Sequence, residues 1–500
     1  MERLGGLDAA FLYFETPSMH MHVCGLVILD PSTMQGGRPF DSVRQLIIDR
    51  SPLMPAMTRK LAVPPFNLGR PYWVQDPHFD VDYHLRRIAV PSPGGDRELA
   101  EVAGDIASRP LDRSRPLWEM WVIEGLADDK VALFAKMHHS TIDGISGANL
   151  MVHLFDLEAD RATGPSVPQR PKPERVPGDL ELFGRGALET FIRPLDIVRL
   201  VPGTVLRVGG AVVNARRRRG HGLAAPFTAP RTSFNAPITP HRTIAFTDVS
   251  LEDVKVVKEA FGVKVNDVVT AVVSGALRQY LDQGHELPDK SLIAAVPVSV
   301  HGQMAGESGT TKLSIMFSSL MTDIADPVAR LKAIGASNAE AKELYGMVGA
   351  DTLMRWAEHA APNTFSLAAR LYSSLRLSAR HPVVHNLILS NVPGPPIPLY
   401  MAGARLTGLF PLGPVMDGAA LNVTVLSNED RIGVGFIACR ELVPKVWSLA
   451  EAVPQALDEL VTAVKGLASP PPRPTVKAKT DPVASRSAAK RSNSAGATQS

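Results

Sequence analysis

Apolar residues follow two rhythms along this chain, and the places where one gives way to the other divide it into parts. From Leu4 to about Glu158 apolar positions are dense with short polar breaks, which predicts one folded lobe. Within it "KVALFAKMHH" predicts a strand with Val131, Leu133, Ala135, Met137 and His139 on one face and Ala132, Phe134, Lys136 and His138 on the other. From about Arg242 to Leu467 the text alternates strand-like runs ("TIAFTDVS", "SLIAAVPVSV", "TTKLSIMFSSL", "NLILSNV") with helical ones. The helical runs are "VNDVVTAVVSGALRQYL", "DPVARLKAIGASNAEAKELY" and "WSLAEAVPQALDELVTAVKGL". This second lobe is α/β in character, and no repeat period suggests a solenoid.

Between the lobes the character changes. Residues 159–178, "ADRATGPSVPQRPKPERVPG", carry prolines at 165, 168, 171, 173 and 177, which excludes a helix or central strand and predicts an extended connector. Asp179 to Gly220 then spaces Arg185, Glu189, Arg193, Asp196 and Arg199 helically among apolar residues and ends in "ARRRRG". Two amphipathic helices broken near Pro194 and Pro202 fit this pattern. They would pack on a lobe or lie on an anionic lipid surface. After Leu467 a Pro-, Ser-, Ala- and Lys-rich tail without aromatic residues predicts disorder. The expected organisation is therefore a lobe over 1–158, a connector with a helical segment over 159–241, a lobe over 242–467 and a tail over 468–500.

Composition narrows the function. The 500 residues are 45% hydrophobic, enough for two cores. The formal charge is +3, and the tail holds Arg473, Lys477, Lys479, Arg486, Lys490 and Arg491 against Asp481, so the body is near neutral. That argues against nucleic acid as the main ligand. Cys24 and Cys439 make no disulfide framework and fit a reducing compartment. "MERLGGLDAAFLYFE" lacks a signal-peptide pattern, and no apolar run reaches the roughly 18 residues of a membrane span. A cytoplasmic location is expected.

Chemistry concentrates in "KMHHSTIDGISG", Lys136 to Gly147. Strand alternation points the two histidines opposite ways, which weakens a metal reading, and no HExxH or paired CxxC supports one. "STIDG" breaks the strand before "GISGANLMVHLFDL" resumes helically, so Asp143 lies at a strand-to-helix turn that Gly144 permits. Asp143 could cap that helix, and either histidine could be a core group. Together they offer a neutral imidazole able to take an alcohol proton and an acid able to fix its turn. "GVGFIA", Gly433 to Ala438, fits GxGxxA. However, "ALNVTVL" and "RIGVGFIA" flank "SNED" as two strands and a turn, so a nucleotide-binding reading fails.

His138, His139, Asp143 and Gly144 match the HHxxxDG signature of acyltransferases related to chloramphenicol acetyltransferase and peptide-synthetase condensation domains. More narrowly, the chain resembles the bacterial wax ester synthase/diacylglycerol acyltransferase family. The further stretches are "LDAAFLYFETPSMHMHV", "RPLWEMWVIEGL", "RTSFNAPITPHR", "VNDVVTAVVSGALRQYL", "PVSVH" and "SNVPGP", spread over most of residues 1–467. The resemblance implies an α/β, two-lobed, chloramphenicol-acetyltransferase-like fold with mixed sheets flanked by helices and a tunnel between the lobes. It implies fatty acyl-CoA as donor and diacylglycerol or a long-chain alcohol as acceptor, both substrates, with no cofactor and no metal.

In that reading His139 is the general base and His138 and Asp143 orient the turn. Asn266 is the donor to the developing oxyanion or, alternatively, a helix cap. Pro116, Leu117 and Trp118 match the family's PLW, and Asn391 with Gly394 its SNVPGP turn. These two are expected to be architectural. The absence of a GxSxG elbow agrees with transfer without an acyl-enzyme. A carrier-protein donor, another lipid hydroxyl, or a lipid-binding homologue with little turnover are the competing readings. An acceptor insoluble in water implies peripheral attachment to the cell membrane or a lipid droplet, expected through Phe183–Arg219.

Overall fold

The computed structural model describes residues 1–34, 36, 38–141, 151–160, 178–184, 224, 226–300, 312–348 and 362–468. The expected connector, most of Phe183–Arg219 and nearly all of the tail lie outside these residues.

Two six-stranded mixed sheets and a small three-stranded one carry the architecture. In the first sheet β2 (His22–Asp30), β6 (Trp118–Glu124) and β7 (Val131–His138) form the antiparallel centre. It is flanked by β5 (Leu85–Ala89), parallel to β6. The other edge comes from far along the chain: β13 (Ala404–Leu412) pairs antiparallel with β2 and is followed outward by β12 (Tyr400–Met401). The second sheet runs in the order β10 (Lys312–Ser319), β9 (Ile293–Val300), β11 (Leu387–Val392), β14 (Leu421–Asn428), β15 (Arg431–Cys439), β8 (Arg242–Ser250). The strands β14 and β15 form an antiparallel hairpin, which bears out the rejection of a Rossmann turn at Gly433. The small sheet joins β1 (Glu2–Arg3), β4 (Tyr72–Gln75) and β3 (Arg59–Ala62).

The helices that matter here are α1 (Gly6–Phe14), α2 (Pro39–Arg50), α3 (Asp96–Ala107), α4 (Leu251–Phe261), α5 (Val265–Gln283), α6 (Pro327–Val348), α7 (Pro362–Ser374) and α8 (Val446–Ala468). Among the described residues no single helix is long and apolar enough to cross a membrane.

Both faces of the first sheet are covered, which is why β7 reads as an almost unbroken apolar run. Val131, Leu133 and Met137 face a core with Val43, Leu46 and Ile47 of α2 and Met401 and Leu406 from the far strands. Ala132 and Phe134 face the large core that α5, α8 and the second sheet share. Lys136 also points into that interior and is fully buried. Its ammonium is held 3.1 Å from the Ile106 carbonyl, 3.0 Å from the Arg109 carbonyl and 3.1 Å from the Glu119 carboxylate. A cation at the C-terminal end of α3 meets the orphan carbonyls and negative dipole end there, so the buried charge is compensated.

The lobes meet where α3 packs on β8. The Arg242 amide donates to Ser108 Oγ at 2.7 Å, and the Arg242 guanidinium donates to the Ser18 carbonyl. The strand β15 passes so close to β13 that a Cβ on Gly435 would sit 2.1 Å from the Pro411 carbonyl oxygen. Because that neighbour is backbone, Gly435→Ala is expected to lower stability by about 1–3 kcal/mol. Chemical denaturation of the purified pair checks this, and an unchanged midpoint would mean the strands can part at no cost.

Candidate active site

β7 ends at His138, and the next three residues, His139–Thr141, form a single 3-10 turn. Two backbone bonds fix where this end lies. The His138 amide donates to the Leu117 carbonyl at 3.0 Å, and the His139 amide donates to the Met21 carbonyl at 2.9 Å. The histidines are therefore positioned by the residues that lead into β6 and β2. Leu117 and Trp118 are completely buried. Trp118 Nε1 donates to the Met57 carbonyl at 2.8 Å, and His84 stacks on the indole at 4.6 Å between ring centres. The PLW stretch is thus architecture that bears directly on His138.

The expected strand alternation stops at His138, because His139 already belongs to the 3-10 turn, and the two imidazoles have different surroundings. His138 turns inward: its Nδ1 accepts from the Ser140 amide at 3.1 Å and lies 2.7 Å from Ser140 Oγ. An Nδ1 that accepts leaves the proton of the neutral ring on Nε2, which lies 3.5 Å from Glu15 Oε2. Burial depresses the His138 pKa, and Glu15 offsets this only in part. Glu15 is itself held by Arg113, whose Nε donates to Oε2 at 2.8 Å and whose Nη2 reaches the Leu12 carbonyl at 2.7 Å. Burial raises the Glu15 pKa, but contact with His138 and the Arg113 charge outweigh it, and the carboxyl ends below its ordinary value. With Nδ1 occupied by Ser140 and Nε2 buried 3.5 Å from Glu15, His138 is poorly placed to serve a substrate.

His139 is different. Its ring lies flat on Phe11 of α1, with centres 3.9 Å apart, and is only partly covered. Nδ1 is buried and finds no hydrogen-bond partner among the described residues. Burial brings the pKa down to about 4, with the neighbouring His138 adding to the effect, so the imidazole is neutral at ordinary pH. Phe11 lies on α1 and Glu15 is the residue that ends it, so the C-terminal end of one helix meets both histidines. Sequence reading did not single out either residue. Their spacing in "FLYFE" was the only available signal, and it marks a shared face without saying what that face meets.

Behind His138 lies a row of further imidazoles. His22 sits opposite His138 in the β2–β7 register, and His20 stacks on His22 at 5.3 Å. Neither ring nitrogen of His22 has a partner among the described residues. Asp143 and Gly144 lie outside the described residues. Asn266 is in the other lobe, in the first turn of α5. The cap there is made by Asp267, whose Oδ2 accepts from the Lys264 amide at 3.0 Å. Asn266 is exposed, and its Oδ1 accepts from Asn391 Nδ2 at 2.9 Å, so the ND and SNVPGP stretches meet. Gly394 donates its amide to Ser427 Oγ at 3.1 Å in a turn too tight for a side chain. A cleft of about 250 Å³ between β13 and the β14–β15 hairpin is lined by Arg405, Glu429, Arg431 and Asp248. These residues pair with one another, and β2 carries Asp30, opposite Arg405, at the end of the strand away from His22. Among the described residues no cluster of His, Cys, Asp and Glu is arranged to hold a metal.

Residues 4–269 match the wax ester synthase/diacylglycerol acyltransferase catalytic domain, and residues 311–461 match the C-terminal domain of the same family. The chain belongs to this family. A Mycobacterium tuberculosis protein provisionally named a diacylglycerol O-acyltransferase is 44% identical over 466 residues, covering 92% of this chain and 90% of that one. A second from the same organism, also provisionally so named, is 34% identical and covers 91% and 98%. The solved wax ester synthase/diacylglycerol acyltransferase of Marinobacter aquaeolei superposes with a TM-score of 0.67 at 30% identity, over 93% of this chain and all of that one. The first condensation domain of the calcium-dependent antibiotic synthetase shares the two-lobed fold, with a TM-score of 0.52 at 15% identity over 94% and 97%.

The imidazole row makes the family fold acid-sensitive in this chain. Burial, with the charge of Arg242, holds His20 at about 4. Burial also holds His139 at about 4 and His22 well below its ordinary value. An unfolded histidine titrates near 6.5, so between roughly pH 6.5 and 4 the unfolded chain binds more protons than the folded one. Stability from these groups is complete above about pH 6.5 and is lost as pH falls toward 4. Thermal midpoints taken from pH 7.5 down to 4.5 should drop steadily, and less steeply in His22→Phe. Parallel curves for the two proteins would contradict the assignment.

Proposed function

We propose that the protein transfers a fatty acyl group from acyl-CoA to the hydroxyl of diacylglycerol or a long-chain alcohol, making triacylglycerol or wax ester. The observation that carries this is His139: a neutral imidazole with one unburied edge, clamped on Phe11 at the end of β7, in a chain of this family. In the reaction the acceptor oxygen attacks the thioester carbon while His139 Nε2 takes the hydroxyl proton. The tetrahedral oxyanion then collapses, the carbon–sulfur bond breaks, and the departing thiolate takes the proton from His139. Atoms and charge balance without a covalent acyl-enzyme. His138 acts on the turn through Ser140 and Glu15. Asp143 and Gly144 are assigned to the same turn by the HHxxxDG match alone.

Asn266 is our candidate for the oxyanion donor. Its Nδ2 is the free end of the Asn266–Asn391 pair, because Oδ1 is already occupied. The acceptor alcohols are nearly insoluble, with each methylene favouring an apolar phase by about 0.8 kcal/mol, so the enzyme must collect them at a lipid surface. Attachment through Phe183–Arg219, the segment expected to provide it, falls almost wholly outside the described residues.

Purified protein given labelled palmitoyl-CoA with diolein, hexadecanol or neither tests the reading directly. His139→Ala is expected to lower turnover by about 10² or more with an unchanged thermal midpoint. Near-normal turnover would remove His139 from the role. The acid limb of kcat/KM in the parent should lie below the ordinary histidine value, toward 4, because the free-enzyme base is depressed. Asn266→Ala should cost about 10²–10³ in kcat with KM little altered, the pattern of a contact made in the transition state. A loss confined to KM would return Asn266 to a positional role.

A further inference from the structure

Several exposed large apolar side chains lie on three linked segments: the Pro65–Asn67 turn, residues 179–184 and α7. The turn Pro65–Asn67 holds Phe66 in a left-handed backbone conformation, φ 58°, with its side chain 79% exposed. A bulky residue in that region is strained, and this one gains no burial in return. Its carbonyl is fixed by Asn363 Nδ2 at 2.8 Å, from the start of α7, and Phe183 meets its ring edge-on at 6.4 Å. Helical residues 179–184 bury Leu182 with Ala62, Tyr72 and Val74. Phe183 and Leu180 remain outward, the latter 85% exposed. On α7 itself and just beyond, Leu367, Leu371 and Leu375 recur every fourth residue, all exposed. They form an apolar stripe on the side of the helix that no core claims.

Along α7 and just after it the exposed charge is positive. No Asp or Glu occurs between Glu358 and Asp417, while Arg370, Arg376 and Arg380 are exposed along and after the stripe. Asp179 and Glu181 are exposed beside Leu180, so the positive charge belongs to α7 and the residues after it; an exposed apolar stripe accompanied there by arginines suits a surface that is apolar inside and anionic at its face. The inner side of the same helix leads to the candidate site. Phe365 packs edge-on against Phe14 of α1 at 4.7 Å, and α1 carries the Phe11 ring that supports His139.

We infer that this face, formed by Phe66, Leu180, Phe183 and the Leu367–Leu371–Leu375 stripe with its arginines, is where the protein docks on an anionic lipid surface. Phe66 and the leucines enter the interface, and the arginines meet the headgroups. The inference rests on the lipid-acceptor reading for its purpose, but it makes its own physical claim. It also places the contact on the helix beside the catalytic histidine rather than on the arginine run at 216–219.

Three full-length proteins test it. They are the parent, an apolar variant (Phe66→Ser, Leu367→Ser, Leu371→Ser) and a charge variant (Arg370→Ser, Arg376→Ser, Arg380→Ser). Each is sedimented with vesicles of phosphatidylcholine alone or mixed with phosphatidylglycerol, at low and high salt. Thermal midpoint, gel-filtration size and turnover on detergent-dispersed diolein or hexadecanol are also measured. The parent should bind the anionic vesicles in a salt-sensitive way. The apolar variant should bind both vesicle types at least about tenfold more weakly. The charge variant should lose only its preference for phosphatidylglycerol. Thermal midpoints and detergent turnover should match the parent in both variants.

Vesicle binding by the apolar variant equal to the parent's overturns the inference, as does a parent that binds no vesicle. A charge variant that keeps the parent's preference overturns the anionic part. A clear fall in midpoint in the apolar variant would mean the chain covers the face itself. A dimeric parent beside a monomeric variant would mean a second copy covers it, and either result overturns docking. A parent that binds vesicles but turns over neither alcohol in detergent would defeat the proposed reaction and leave the docking face standing.

Discussion

Hydrogen bonding of β2 on both of its edges is the constraint on which the rest of this structure depends. On one edge it pairs with β7, which sets His22 opposite His138 and brings the Met21 carbonyl to the His139 amide. On the other it accepts β13, a strand nearly four hundred residues away in sequence, which ties the two halves of the chain into one sheet. A shift of β2 by one residue would turn every side chain to the other face. It would exchange the core of α2 for the core of α5 and α8 and carry the histidines away from α1. Position of the His139 imidazole and cohesion of the two lobes are thus one property.

Around that strand the interior is electrically unusual. Lys136 is buried as a cation and Arg242 is nearly so, and the imidazoles beside them are driven to their neutral form by burial and, at His20 and His22, by that positive charge. Such surroundings favour the neutral form of His139, the form that the proposed base role needs, because the price of burying a further charge is too high. The same surroundings weaken that base, since a group of low pKa accepts a proton less avidly. What compensates is placement: a ring pressed flat on Phe11 and pinned through its backbone loses little freedom when substrate arrives.

Much of this was legible in the sequence, for physical reasons. Period-two alternation in "KVALFAKMHH" identified strand β7 but not that it stops at His138, and the polar turn in "SNED" identified the β14–β15 hairpin, because both signals are local. HHxxxDG and its companion stretches gave the family. Nothing local in Ala404–Leu412 marks the sheet it joins, since strand pairing at long range leaves no periodic trace. Phe11 and Glu15 were hidden for the same reason: an aromatic and an acid on a short apolar helix look like packing until the opposing strand end is known. Of the two readings of Asn266, oxyanion donor or helix cap, the cap is made by its neighbour Asp267, a difference that the ND pair does not show in sequence. Asp143 and Gly144, the part of the motif most dependent on turn geometry, lie outside the described residues.

The long-range edge of β2 has a consequence for how the chain is made. Asp30 pairs with Arg405, so β2 leaves the ribosome long before its partner on that side exists. At about 5–20 residues per second, some 20–75 seconds pass with this edge unpaired. Cys24, Leu26 and Ile28, apolar and flat, form just the kind of open template that other nascent strands can join. Until β13 emerges, the N-terminal half is a sheet with its most hydrophobic margin exposed. That exposure during synthesis is a hazard which the finished fold, with β13 in place, does not reveal.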